Sequence, residues 1–350
     1  MKLKVVKPYV RDATSQELKQ WNDLIVKNPG GADPYQSTAT SQLKAAQGWR
    51  DEYWVYETSF GKVYSTVLAR HFPFIGKIAY IMRGPSVANE SQLHEIIQAN
   101  QTKKDLFAIK MEPTIAEISD NLLTTNFAEA SNTKLLKVRN VQPHASQVVV
   151  DLNKDIDELW SSFHQGARRE IRAAEKDHII IKEVPVDERH MREMYHLYAE
   201  TGRRAGFLVR DYGYYQQYWT NYAKLKQGKL FFAYPTKITT PIAGLFVIFL
   251  GQKAVYKDGG SIRSTHKHFA HLLQWEVMKV LKSIGIIEYN LMSTNTTGLA
   301  NFKMSFAPRR LIYVGTVDQI LNKKIYTRWR KWGEKFYRIV YRCIYHNTIY

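Results

Sequence analysis

A single cysteine, Cys343, stands in 350 residues. That excludes an internal disulfide framework and a cysteine-rich zinc site, and it fits a reducing cytoplasm. The thiol sits near the C-terminus rather than in a pocket-forming segment, which argues against thiol-based acyl transfer. Long apolar runs are also missing. The longest, Pro241 to Leu250, is strand-like and too short to span a bilayer. The opening Met1-Lys-Leu-Lys-Val-Val-Lys-Pro8 is too short for a secretory signal. A cytoplasmic protein is expected, soluble or peripheral on the inner face of the membrane. Acid is scarce as well. Thirty-two Asp plus Glu face 50 Lys plus Arg, a formal charge of +18. Such an excess suits RNA phosphates or an anionic membrane surface, and a generally solvated basic surface accounts for it equally.

What is present reads as globular. An apolar content of 45% with 23% charged residues is ordinary, and the length suits two domains. The first half reads as helix (Ser15 to Asn28), loop, then helix (Thr40 to Gly48). Strands follow at Tyr53–Glu57, Lys62–His71 and Ile75–Met82, then helix Ser91–Ala99 and strand Leu106–Met111. Val141-Gln-Pro-His144 reads as a connector. The plan then recurs: strand Gln147–Asp151, helices Ile156–Phe163 and Ala167–Lys176, strand Ile179–Val184, helix Glu188–Gly202 and a tyrosine-rich segment, Tyr212–Lys226. Strands Lys229–Tyr234, Ile242–Phe249 and Lys253–Asp258 and helix Phe269–Lys282 complete it. The recurrence is architectural, without a fixed-period repeat, and points to a duplicated mixed sheet flanked by helices, an α/β class.

The closing stretch is the most informative. An amphipathic helix ends at Gly285, a short β-run and a polar turn follow, and then comes Phe302-Lys303-Met-Ser-Phe306. One cation beside an aromatic ring, past a strand, suits chemistry on an acyl group. The unit looks like the closing half of an N-acyltransferase. Enzymes of that kind that use coenzyme A cradle its pyrophosphate in a glycine-rich loop at a helix N-terminus. Here that turn is Ser264-Thr-His-Lys-His-Phe-Ala-His271, without glycine. Backbone approach to phosphate would be obstructed, so no cofactor is expected. His266, His268 and His271 lack an accompanying carboxylate pair and a metal-site spacing, and read as a solvated or packed cluster.

Several motifs recur in an order that resembles the Fem-type family of tRNA-dependent aminoacyltransferases, from about Tyr35 to Lys324. They are Gln36-Ser…Lys44…Gly48-Trp49, Arg83-Gly-Pro85, Lys110-Met-Glu112-Pro113, and Asp151-Leu with Arg168-Arg-Glu-Ile-Arg172-Ala. Thr201…Arg204-Ala-Gly-Phe207…Arg210…Tyr214-Tyr215, Tyr256-Lys-Asp258-Gly-Gly-Ser261 and Phe302-Lys303 complete the set. The resemblance implies two tandem N-acyltransferase-like domains, residues 146–310 and residues 1–145 completed by 311–350. It also implies transfer of an amino acid from aminoacyl-tRNA to the stem-peptide amine of a lipid-linked or nucleotide-linked muropeptide, without coenzyme A.

By the same resemblance Lys303 stabilises charge near the ester and Phe302 stacks on the terminal adenine, a contact worth about 1–3 kcal/mol. Lys44, Arg210 and Tyr214 match positions that bind the muropeptide. Tyr256 and Asp258 share the next such position, which the sequence leaves open between them. Glu112 matches a carboxylate near the acceptor amine, with a solvated glutamate before a turn as the alternative. Arg168 and Arg172 suit tRNA phosphate or a merely solvated helix face. Two rivals remain: an acyltransferase of this fold that acts on another amine without coenzyme A, and a non-catalytic RNA- or membrane-binding scaffold.

From Lys323 to Arg342 eight Lys or Arg stand against one acid, Glu334. At helical spacing Trp329, Trp332, Phe336, Ile339 and Cys343 form an apolar stripe with a basic stripe beside it. Residues 328–343 are expected to contact an anionic membrane surface, with packing on the first domain and tRNA contact as the alternatives.

Overall fold

Runs of Val, Ile, Phe and Tyr form two separate seven-stranded sheets. The computed structural model describes residues 7–115, 134–141, 146–264, 268–293, 297–306 and 310–344. The connector after Val141, the polar turn before Thr297 and His266 lie outside the described residues. The chain divides into two units, Met1–Ala145 with Ile312–Tyr350, and Ser146–Leu311.

The first unit opens with β1 (Tyr9–Asp12), α1 (Ser15–Lys19) and α2 (Trp21–Val26). The single helix expected here breaks at Gln20, whose φ of −120° is non-helical. The break turns Trp21 inward, where its Nε1–H donates to Thr66 Oγ1 at 2.8 Å. A 3-10 turn (Pro34–Gln36) and α3 (Thr38–Ala45), capped by the Ser37 hydroxyl, lead into β2 (Arg50–Thr58), β3 (Gly61–Phe72) and β4 (Gly76–Ile81). Helix α4 (Glu90–Asn100) is the crossover that lets β5 (Leu106–Met111) lie parallel to β4. Its Leu93, Ile96 and Ile97 are buried on the sheet, each worth about 1.5–3 kcal/mol. β6 (Lys134–Lys137) was not legible in the sequence pattern.

The second unit repeats the device. It runs β7 (Ser146–Asp151), α5 (Ile156–Ser162), α6 (Gln165–Lys176), β8 (Ile179–Val184), α7 (Glu188–Ala205) and α8 (Tyr212–Lys224). β9 (Gly228–Pro235), β10 (Ala243–Leu250) and β11 (Lys253–Ser261) follow as antiparallel neighbours. Helix α9 (Phe269–Ser283) then crosses over to β12 (Glu288–Ser293), which runs parallel to β11. Helix α10 (Thr297–Met304) and β13 (Arg310–Ile312) close the unit, whose strand order is β13-β7-β12-β11-β10-β9-β8. Phe302 and Lys303 therefore ride on a helix, which the sequence reading, with a strand and a polar turn ahead of the pair, did not expect.

Gly315, at φ +83°, turns the chain between β13 and a further strand, β14 (Val317–Ile320). β14 enters the first unit's sheet between β5 and β6, giving β1-β2-β3-β4-β5-β14-β6. After it come α11 (Lys323–Arg328), a π-turn (Trp329–Gly333) and α12 (Glu334–Ile344). The π-turn breaks the expected apolar stripe, because its wider turn rotates Trp329 away from Trp332. Trp329 is buried on Phe72 and Phe107, while Trp332, Phe336 and Ile339 are exposed. Among the described residues no helix is long and apolar enough to cross a membrane.

Candidate active site

β11 and β12 pair only over Lys253–Val255 against Glu288–Asn290. Beyond that point β11 stays with β10 to Ser261, and β12 continues with β7. Tyr256 is the first residue past the split. Lys303 comes from α10 to lie with its Nζ 5.9 Å from the Tyr256 ring centroid. The lysine is 5% exposed, and burial lowers its pKa to about 8. Burial pushes the Tyr256 phenol up to about 12, so it remains a neutral hydroxyl. Phe302 packs edge-on to His271, with centroids 4.8 Å apart, and to Phe306. The His271 pKa falls below its usual value, chiefly through burial, so its ring is neutral at neutral pH. At pH 7 a Lys303 of pKa 8 is still mostly protonated. An ammonium in so dry a setting can stabilise an oxyanion forming at a carbonyl beside it.

A β-bulge separates Tyr256 from Asp258. Phe246 pairs with Asp258 and Val247 with Tyr256, so Lys257 is the extra residue. Two residues apart on a regular strand share a face; here the bulge sends the two side chains to opposite faces. Tyr256 faces Lys303. Asp258 is buried, accepts from Trp219 Nε1–H on α8 at 3.0 Å, and pairs with Lys257 at 3.3 Å.

Two further groups lie in the same unit. The Arg210 guanidinium sits 4.6 Å from the Tyr214 ring centroid at the start of α8, where Asp211 caps the helix. On α6, Ala167, Ile171 and Ala174 point into the core. That leaves Arg168, Arg169, Arg172 and Lys176 lining a groove of about 760 Å³ that begins at His164. His164 N–H donates to the Ser305 carbonyl at 2.8 Å, which ties the mouth of this groove to the end of α10.

Lys44 and Glu112 belong to the first unit. Both are buried, at 6% and 1% exposure, so neither is a solvated surface residue. Glu112 accepts from the Arg83 backbone N–H and from the Thr316 hydroxyl, each at 3.1 Å. Burial dominates and raises its pKa to about 7. Because the folded chain holds this proton more tightly than a free glutamate would, stability declines as pH rises from about 4.5 to about 7. The shift amounts to roughly 3 kcal/mol. Glu112→Gln, which keeps a neutral group there, should flatten the dependence of the melting temperature on pH across that window. An unchanged pH profile would show that Glu112 is ionised in the fold throughout.

Thus the second unit brings Lys303 to Tyr256, packs the neighbouring Phe302 on His271, pairs Arg210 with Tyr214, and gathers Arg168 and Arg172 in one groove. Sequence reasoning missed His271 as a neighbour of Phe302; its only signal was the three-residue spacing from His268, whose ring bonds Glu170. It also missed the buried Arg83–Asp33 pair, 2.8 Å apart, because nothing local links residues 50 apart.

Comparison with known proteins completes the picture. The profile of the FemAB family matches residues 23–235. A lipid II:glycine glycyltransferase of Staphylococcus epidermidis is 27% identical over 213 residues, covering 56% of this chain and 50% of that one. A protein of the same name from Staphylococcus aureus (strain COL) is 28% identical over 218 residues, covering 56% and 49%. The chain spans about half the length of these curated relatives. The crystal structure of FemX matches with a TM-score of 0.77 at 18% identity, over 91% of this chain and 98% of that one. The structure of L-PGS from Bacillus licheniformis matches at 0.52 and 12% identity, over 91% and 97%. At such identities the two structures speak for the fold alone, which is the α/β pair of helix-flanked mixed sheets expected from the sequence. With its profile running through more than half of the residues, this chain belongs to the FemAB family.

Proposed function

We propose that this chain is an aminoacyltransferase that takes an amino acid from aminoacyl-tRNA and adds it to the stem-peptide amine of a peptidoglycan precursor. The observation that carries the reading is Lys303, held at 5% exposure beside Tyr256 where β11 and β12 part. Family membership and relatives named lipid II:glycine glycyltransferase support the substrate class. In this reading the acceptor amine attacks the ester carbonyl and the Lys303 ammonium stabilises the oxyanion. The intermediate collapses to an amide as the carbon–oxygen bond to ribose breaks. The amine's proton passes to the leaving ribose oxygen, and Glu112 of the first unit, with a pKa of about 7, has the proton affinity that a base needs at neutral pH. Phe302 stacks on the terminal adenine, and the Arg168–Arg172 groove takes the tRNA backbone. Arg210, Tyr214 and Tyr256 hold the muropeptide, which is lipid-linked or nucleotide-linked, and Lys44 is the first unit's own candidate contact for such a precursor. Asp258, bonded to Trp219, acts through the sheet that carries Tyr256.

A donor comparison tests this. The chain is incubated with a muropeptide and either labelled aminoacyl-tRNAs or labelled acetyl-coenzyme A. Label is expected on the muropeptide from aminoacyl-tRNA alone. Transfer from the coenzyme A donor, or from neither, would overturn the reading.

A further inference from the structure

Phe74 is wholly exposed in a backbone conformation that bulky residues avoid. The turn between β3 and β4 is closed by Ile75 N–H to the Phe72 carbonyl at 3.1 Å, with Pro73 second and Phe74 third. The third position adopts φ +62°, a left-handed value that glycine or asparagine usually supplies. A phenylalanine there adds strain and finds no burial within the chain.

The same turn is stitched to the C-terminal helix. The Tyr337 hydroxyl donates to the Pro73 carbonyl at 2.8 Å, and Ile75 packs in the cluster that holds Trp329 and Tyr337. Tyr341 lies 4.5 Å from the Arg70 guanidinium, which also rests 4.1 Å from the Trp49 ring. With its tyrosine face thus fixed inward, α12 presents Phe336 and Ile339 to solvent, and the π-turn presents Trp332. Their exposures are 60%, 63% and 68%. Arg328, Lys331, Lys335, Arg338 and Arg342 are exposed around them. The one acid of this stretch, Glu334, is engaged by Arg330 at 2.7 Å and by Arg338 at 2.9 Å.

We propose that the Phe74 turn and the outer face of the π-turn and α12 form one preformed docking surface for an anionic bilayer. Apolar side chains projecting from a field of cations suit the headgroup layer, where rings sit at the water boundary and cations meet lipid phosphate. This account differs from a simple amphipathic helix in two ways. Half of the helix is committed to the fold, and a strained loop 260 residues away in sequence supplies part of the contact. It stands apart from the transfer reading, since docking needs neither donor nor acceptor.

The test is co-sedimentation of the full chain with vesicles of phosphatidylglycerol and phosphatidylethanolamine, beside vesicles of phosphatidylcholine. Binding is expected to the anionic vesicles, weakened by salt, and far less to the zwitterionic ones. Phe74→Gly suits the turn better than the native residue, so the fold is kept while partitioning should fall about tenfold. The double variant Trp332→Ser with Phe336→Ser should lower it by on the order of a hundredfold. No binding by the parent chain overturns the proposal. Binding untouched by Phe74→Gly overturns the two-element surface in favour of the helix alone. If the double variant instead dissolves a dimer seen by light scattering, or loses affinity for a short RNA hairpin while vesicle binding is unchanged, the face belongs to that other partner.

Discussion

Lys303→Ala is expected to slow aminoacyl transfer by about 100- to 1,000-fold, the usual effect of removing one preorganised oxyanion stabiliser. The loss should fall on kcat rather than on KM for the muropeptide, because the ammonium acts on charge that exists only in the transition state. The pH dependence supplies an independent check. Lys303 is protonated below its pKa of about 8. The rate should therefore fall as pH rises through about 8. Lys303→Arg, which keeps its proton, should carry whatever activity remains further into alkali. A K303A enzyme that transfers at the parental rate would remove the lysine from the chemistry.

The second large effect concerns stability. Lys110 on β5 and Asp318 on β14 face each other in the sheet, with Nζ and Oδ1 2.5 Å apart and both side chains buried. The other oxygen of Asp318 accepts from the Tyr326 hydroxyl at 2.6 Å. One carboxylate thus ties the inserted strand and the following helix to the sheet. Asp318→Ala removes the buried counter-charge of Lys110 and the acceptor of Tyr326, and is expected to destabilise the first unit by about 3–5 kcal/mol. Replacing both partners with apolar residues, Lys110→Met with Asp318→Leu, should recover most of that loss. Equal destabilisation by the single and double variants would mean that the pair contributes through shape alone. Chemical denaturation followed by tryptophan fluorescence reads both.

These two sites mark what a sequence reader can and cannot see. The α/β class was legible because the strands announce themselves as apolar runs and the crossover helices as amphipathic ones. Lys303 and Phe302 stood out because an aromatic–cation pair follows the last long helix and a strand. Their helical setting was hidden, since Gly298 and Asn301 read as a turn. The bulge at Lys257, which separates Tyr256 from Asp258, is invisible without the partner strand's register. The Lys110–Asp318 bond joins residues 208 apart, and residues 317–320 carry no local sign of being inserted between two distant strands. The C-terminal stripe failed at Trp329 for a local reason. One π-turn is enough to rotate a face, and no residue type marks where it falls.

The central claim is a new amide on a peptidoglycan stem peptide, made at the expense of a tRNA ester. Mass spectrometry of the muropeptide after incubation with charged tRNA tests it most directly, with parent and Lys303→Ala chains side by side. The parent should add the mass of one or more aminoacyl residues at the stem-peptide amine, dependent on intact RNA, and the variant should leave the precursor unchanged. An unmodified muropeptide from the folded parent chain, across all charged tRNAs, would contradict the account.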